Sequence, residues 1–194
     1  MVVPGSERPE VMRAKVCLVG EPGVGKSSLV RRFVYDQFDD RYFATLGAKV
    51  SKKEFDFRVD DRPVHAVLTI WDIMGEPSFR DLLKDAYFSA LQGVLAVGDL
   101  TRSRTIGAAA DWIDAACHVS GHVPIVVLGA KNDLSAEPDA MAVIDEVAED
   151  FSAPSWLTSA RTGENVDLAF LTLADRIARA GLMRRGTFSS GPLA

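Results

Sequence analysis

A chain of 194 residues that is 47% hydrophobic and 25% charged is long enough for one well-filled core, and this balance excludes both disorder and a fibrous repeat. Its net charge of -5 argues against a nucleic-acid partner, because binding through counterion release needs an excess of Lys and Arg on one face. No apolar run approaches the ~20 residues of a membrane-spanning helix, and Met1 to Pro9 hold no signal-peptide core, so a cytoplasmic protein is expected.

In chain order, residues 14–20 form a short apolar run ending in Gly20, which reads as a buried strand feeding a tight turn. A helix is expected from Lys26 to Tyr35, where Leu29, Val30, Phe33 and Val34 recur at helical spacing. A polar stretch dotted with aromatics follows, Asp36 to Gly47. Phe55, Phe57 and Val59 then alternate with charged residues, Asp60-Asp61-Arg62-Pro63 supplies turn chemistry, and Val64 to Trp71 is nearly all apolar. That pattern is a hairpin whose first strand lies at a sheet edge.

Strand and helix then take turns: Gly93–Gly98 apolar, Ile106–Cys117 helical, Val123–Leu128 apolar, Met141–Phe151 helical, Trp156–Thr158 a short strand, Val166–Ile177 helical. This alternation predicts an α/β fold, a parallel sheet with helices on both faces. Ile106, Ala109, Ala110, Ile113 and Cys117 share one helical face, as do Val166, Ala169, Phe170, Leu173 and Ile177, and both stripes read as core. A single domain is expected over residues 12–182, with loosely ordered tails at 1–11 and 183–194. Cys17 and Cys117 lie far apart in apolar stretches and read as reduced thiols. His65, His118 and His122 are too scattered for a metal site.

Gly20-Glu-Pro-Gly23-Val24-Gly25-Lys26-Ser27 matches the phosphate-binding loop pattern G-x-x-x-x-G-K-[ST] between a strand and a helix. The glycines let backbone N–H groups converge on phosphates, the helix N-terminus adds partial positive charge, Lys26 reaches the terminal phosphates, and the Ser27 hydroxyl suits Mg²⁺. Ser28, the next residue, is counted with Gly20, Gly23, Val24, Gly25, Lys26 and Ser27 as nucleotide-binding. The bland alternative is a Gly-rich turn that only caps a helix.

The loop alone does not separate a GTPase from an ATPase. Further segments resemble the Ras superfamily of small GTPases, especially its Rab-like branch. Trp71-Asp72-Ile-Met-Gly75-Glu76 resembles W-D-x-x-G-Q, Tyr42-Phe-Ala-Thr45-Leu-Gly47 resembles the first switch region, Ala130-Lys131-Asn132-Asp133 resembles the guanine-reading N-K-x-D, and Thr158-Ser159-Ala160-Arg161 resembles the remaining base-contacting loop. The resemblance spans residues 14–180 and implies a P-loop NTPase three-layer α/β/α sandwich: a mostly parallel six-stranded sheet, one antiparallel edge strand and about five helices. It implies GTP and GDP as ligands with Mg²⁺, and a metal set of Ser27, Thr45 and, through water, Asp72. Lys26, Thr45, Gly75 and Glu76 become the catalytic candidates. Phe38 would pack on the base, with Tyr42 beside it, and Lys131, Asp133, Ser159, Ala160 and Arg161 would contact or support it. Asp133 suits the task independently, since a carboxylate accepts two hydrogen bonds from the N1–H and N2–H₂ edge that guanine has and adenine lacks. Protein effectors, with exchange and activating factors, are the implied partners.

Three departures matter. Ala130 replaces the family's Asn, removing a contact to the base and a tie to the phosphate loop. Glu76 replaces the Gln that orients the attacking water, and a carboxylate has no N–H to donate. Pro22 removes a loop donor and would crowd an arginine supplied by an activating protein. Slow hydrolysis without a partner is the expectation, and a GTP- or GDP-binding interaction module with little turnover is the alternative. Arg41 and Arg80, in or near the switch segments, read as solvated surface more readily than as catalytic arginines. An ATPase or nucleotide kinase lacks support, since no Arg-rich lid segment interrupts the pattern. With Val at position 2 and no cysteine near the C-terminus, no direct membrane anchor is readable.

Overall fold

The structure is a computed structural model that describes residues 8–41 and 44–184, the side chains of 79–83 and 184 excepted. Six strands, β1 (Glu10–Val19), β2 (Ala48–Val59), β3 (Arg62–Ile73), β4 (Gly93–Asp99), β5 (Ile125–Ala130) and β6 (Ser155–Thr158), form one sheet in the order β2-β3-β1-β4-β5-β6. Only β2 runs antiparallel to its neighbour, at the edge. The hairpin β2–β3 closes through Asp60 and Asp61 with φ of 45° and 65°, and two left-handed residues in succession match a turn whose twist suits the flanking strands.

The helices are α1 (Lys26–Tyr35), α2 (Pro77–Phe88), the single turn α3 (Arg104–Gly107), α4 (Ala109–Ser120), α5 (Ala140–Asp150) and α6 (Val166–Arg184). Both faces of the sheet are covered, as its apolar inner strands require. On one face Leu29 and Phe33 of α1 and Phe170 and Leu173 of α6 pack on Val16, Leu95 and Leu128. Phe33 and Phe170 stack with ring centroids 3.9 Å apart. On the other face Tyr87 and Phe88 of α2, Trp112 and Ile113 of α4, and Ile144 of α5 pack on Val19, Val94 and Val127. The expected three-layer sandwich with its antiparallel edge strand is the observed fold.

Three element ends, one additional helix and one split helix differ from the sequence expectation. Strand β1 starts at Glu10, inside the stretch assigned to a tail, because Glu10 and Val11 continue the ladder opposite Val64 and His65. Helix α6 runs past Ile177 to Arg184, with Ala178 and Leu182 buried against Val59 and Val64. Helix α2 was not expected, and the segment read as one helix from Ile106 starts as the separate turn α3. Strand β2 begins at Ala48, well before the alternation read from Phe55, because its first half pairs with the end of β3 from Ile73 onward; the remaining expected elements are present within a few residues of their predicted ends. Cys17 is buried and Cys117 partly buried, both as free thiols. Among the described residues no group of His, Cys, Asp and Glu gathers as a metal cluster, and no helix is long and apolar enough to cross a membrane.

Candidate functional site

The parallel strands β1, β3, β4, β5 and β6 bring their C-terminal ends to one rim of the sheet, the place where open α/β sheets bind ligands. The segment after β1 turns sharply there. Gly20, Gly23 and Gly25 have φ of 133°, 71° and 112°, values that side chains rarely tolerate. At Gly20 sterics add to this, because a Cβ would overlap the Val97 carbonyl oxygen of β4. Val24 is fully buried in the core and fixes the loop from below, while Gly25 caps α1 so that Lys26, Ser27 and Ser28 form its first turn.

Lys26 is 6% exposed. Its ammonium donates to the Gly20 carbonyl at 2.7 Å and the Glu21 carbonyl at 2.8 Å. Burial lowers its pKa to about 8, against the opposing pull of the Asp72 and Glu21 carboxylates. A buried ammonium held by two loop carbonyls at the N-terminus of a helix is a placement that suits an anionic ligand.

Beside it stand the three residues expected to hold a metal. The Ser27 and Thr45 hydroxyls lie 3.0 Å apart. Asp72, at the end of β3, is 2% exposed, and its Oδ1 has no hydrogen-bond partner among the described residues. Burial raises its pKa, partly countered by a hydrogen bond from Ser27 and by the charges of Lys26 and Lys49. Buried carboxylate oxygens are normally paired or bound to a cation, so two hydroxyls and an orphaned carboxylate oxygen fit Mg²⁺, which favours oxygen donors. Gly75 completes this end. A Cβ there would lie 2.5 Å from Glu21 C and Gly20 O and 2.6 Å from Lys26 Nζ, so its backbone rests directly on the phosphate loop. Glu76 is exposed at the N-cap of α2, with Pro77 starting the helix.

At the other end of the rim, Asp133 accepts a hydrogen bond from Ser159 Oγ at 2.6 Å, and Ser159 Oγ in turn accepts from the Thr162 amide at 3.1 Å. Ser159 is fully buried, so the carboxylate is aimed by a rigid partner. Ala160 and Arg161 are held through their carbonyls, which accept from Arg32 Nε and Nη2, each at 2.8 Å. The Arg161 guanidinium lies 3.8 Å from Asp40, joining this loop to the segment carrying Phe38, which is 36% exposed. Ala130 is buried at the end of β5 and brings no polar group. Asn132 does not take its place: its amide is committed to Glu164 at 3.0 Å. Lys131, left-handed with φ 66°, places its ammonium 2.6 Å from Asp99.

The rim therefore gathers the phosphate loop with Thr45, Asp72 and Gly75 at one end and Asp133 with Ser159 at the other. Tyr42 and the Arg80 side chain lie outside the described residues. Sequence reading missed Asp99, Arg102 and Arg32. A lone carboxylate closing the apolar run of β4 was the available signal for Asp99, whereas Arg32 looked like any cation on the polar face of a helix.

Comparison with known proteins places the chain in a family. The family model described as Ras family matches residues 15–179. The chain is 32% identical over 169 residues to GTP-binding protein yptV2 of Volvox carteri, covering 85% of this chain and 76% of that protein. It is 32% identical over 171 residues to Ras-related protein Rab-22A of Canis lupus familiaris, covering 86% and 84%. It is 30% identical over 164 residues to Ras-related protein SEC4 of Saccharomyces cerevisiae, covering 84% and 74%. With a phosphate loop, an orphaned acidic oxygen and a braced acceptor on one rim, the chain belongs to the Ras family of small GTPases, in its Rab-like part.

Proposed function

We propose that this GTPase holds GTP or GDP with Mg²⁺ along the rim, phosphates on residues 20–27 and guanine between Asp133 and the Ser159 loop, and that loss of the γ-phosphate changes a protein-binding surface around Thr45 and Gly75. The observation that carries the reading is a buried Asp72 whose Oδ1 has no hydrogen-bond partner among the described residues, together with the adjoining Ser27 and Thr45 hydroxyls and a buried Lys26. Mg²⁺, when bound, supplies positive charge to the phosphate oxygens as charge shifts toward the leaving group. Ser27 and Thr45 would hold it directly and Asp72 through water. Lys26 keeps its ammonium at the terminal phosphates, and the Gly75 N–H reports whether the γ-phosphate is present. Glu76 can accept a proton from water but cannot donate to it. Asp133 supplies the guanine preference.

Effectors, exchange factors and activating proteins would read the two switch segments. On this reading the protein works in the cytoplasm. Release of a fluorescent GDP, followed with Mg²⁺ present and after chelation, tests the reading. Chelation should speed release from the parent protein, while Asp72→Asn should release quickly in both conditions. Release from the parent that ignores Mg²⁺ would contradict the assignment of the metal set.

A further inference from the structure

The rim contains a connection that the nucleotide-binding reading does not use. Asp99 ends β4 with a side chain only 1% exposed, yet four donors satisfy it: the Thr101 amide at 3.0 Å and hydroxyl at 2.8 Å on Oδ1, and Arg102 Nε at 3.0 Å and Lys131 Nζ at 2.6 Å on Oδ2. Burial alone raises its pKa, but the Lys131 and Thr101 hydrogen bonds outweigh that and hold the carboxyl below its ordinary value. A buried carboxylate with both oxygens saturated is a rigid post. From that post the Arg102 guanidinium extends its Nη2 to the Pro22 carbonyl at 3.3 Å. The next residue but one, Arg104, pairs with the Glu21 carboxylate at 3.3 Å.

The segment bearing both arginines is itself fixed. The Ser103 amide donates to Glu137 at 2.6 Å, and the Leu100 amide donates to the Ala130 carbonyl at 3.0 Å. Against this, Ala130 brings no polar reach to the phosphate loop, although a Cβ on Gly25 would lie only 3.7 Å from its methyl group.

We propose that Arg102, anchored on Asp99, is a positioning residue that braces the phosphate loop at Pro22 and couples it to Lys131 at the base end of the site. Pro22 has no N–H of its own, so its carbonyl is the only backbone handle at that position. Arg102 holds that handle, and the outer part of the loop keeps its amides convergent. The inference rests on the nucleotide-binding reading. It adds a part of the site made by residues 99–104, outside every segment from which that reading was drawn.

The test is the rate at which the full chain, loaded with a fluorescent GDP and Mg²⁺, releases it into excess unlabelled GDP. Arg102→Ala should release about tenfold faster, the factor carried by one charge-assisted hydrogen bond. Arg102→Lys separates positioning from charge balance. Lysine restores a cation beside Asp99 but has no planar fork to reach the Pro22 carbonyl at the same time. Its melting temperature should return to that of the parent while release stays fast. Parent-like release from Arg102→Ala, or release fully restored by Arg102→Lys, would overturn the brace. A parent protein that takes up no GDP would overturn both this inference and the reading beneath it, whereas uptake with equal release rates would overturn this inference alone.

Discussion

Ser159→Ala removes one oxygen from a fully buried position, and the structure says what that oxygen does. It donates to Asp133 at 2.6 Å and accepts from the Thr162 amide at 3.1 Å. The first bond is charge-assisted, the kind that contributes ~1.5–3 kcal/mol. Asp133 is exposed, so water recovers part of that, and the folded state should lose about 1–2 kcal/mol, including the orphaned Thr162 amide. Binding should suffer separately. A carboxylate no longer fixed must be ordered by the ligand, and about tenfold in GDP affinity corresponds to ~1.4 kcal/mol. Because the bond lies at the base end, far along the rim from Lys26 and Asp72, GTP and GDP should weaken by the same factor. Titration calorimetry with each nucleotide, paired with urea unfolding of the nucleotide-free protein, measures both. Unchanged affinity, or a loss falling on GTP alone, would refute the assignment of Asp133 to the base.

Ala130→Asn should slow GDP release about five- to tenfold, because an amide beside Gly25 adds a polar contact where the parent has a methyl group; stopped-flow displacement measures it. Gly75→Ala places a Cβ 2.5 Å from two backbone atoms of the phosphate loop and should cost about 1–3 kcal/mol through forced separation, visible as a lower melting temperature together with weaker Mg²⁺-dependent retention of nucleotide. His65, 2.6 Å from Asp56 and 3.5 Å from Glu54, with Lys52 paired to that same Glu54, has a raised pKa owing chiefly to its hydrogen bond with Asp56. Its ion pairs therefore stabilise the fold fully below the unfolded-state pKa and lose that effect as pH rises through the higher folded-state value. The urea midpoint of the parent should exceed that of His65→Gln at low pH, and the gap should close as pH rises. A gap that widens instead would show the sign to be wrong.

The sheet and the phosphate loop were legible because their signals are local. Apolar runs such as Gly93–Gly98 are consecutive in sequence, and the glycine spacing before Lys26 encodes backbone angles that few other residues accept. The edge position of β2 could be read for the same reason, from Phe55, Phe57 and Val59 alternating with charges and a two-Asp turn. Helix α2 escaped notice, although Pro77 stands at the first helical position, a common start signal. Phe79, Leu82, Leu83 and Ala86 also recur at helical spacing in the sequence, so the signal stood beside that proline. The early start of β1 was hidden because Glu10 and Arg13 are polar, and only the ladder to β3 shows them to be strand. What sequence reading could not reach are links between distant residues. Lys131 meets Asp99 across 32 positions and Arg32 meets the Ala160 carbonyl across 128, and neither partner carries a pattern that points to the other.

The proposed role of the rim requires a guanine nucleotide to be the molecule that fits it. Titration of stripped protein with GDP and with ADP, both with Mg²⁺, tests this most directly. Saturable heat with GDP and none with ADP at the same concentrations is the predicted outcome, since only guanine offers Asp133 two donors. Equal heats from the two nucleotides, or none from either, would contradict it.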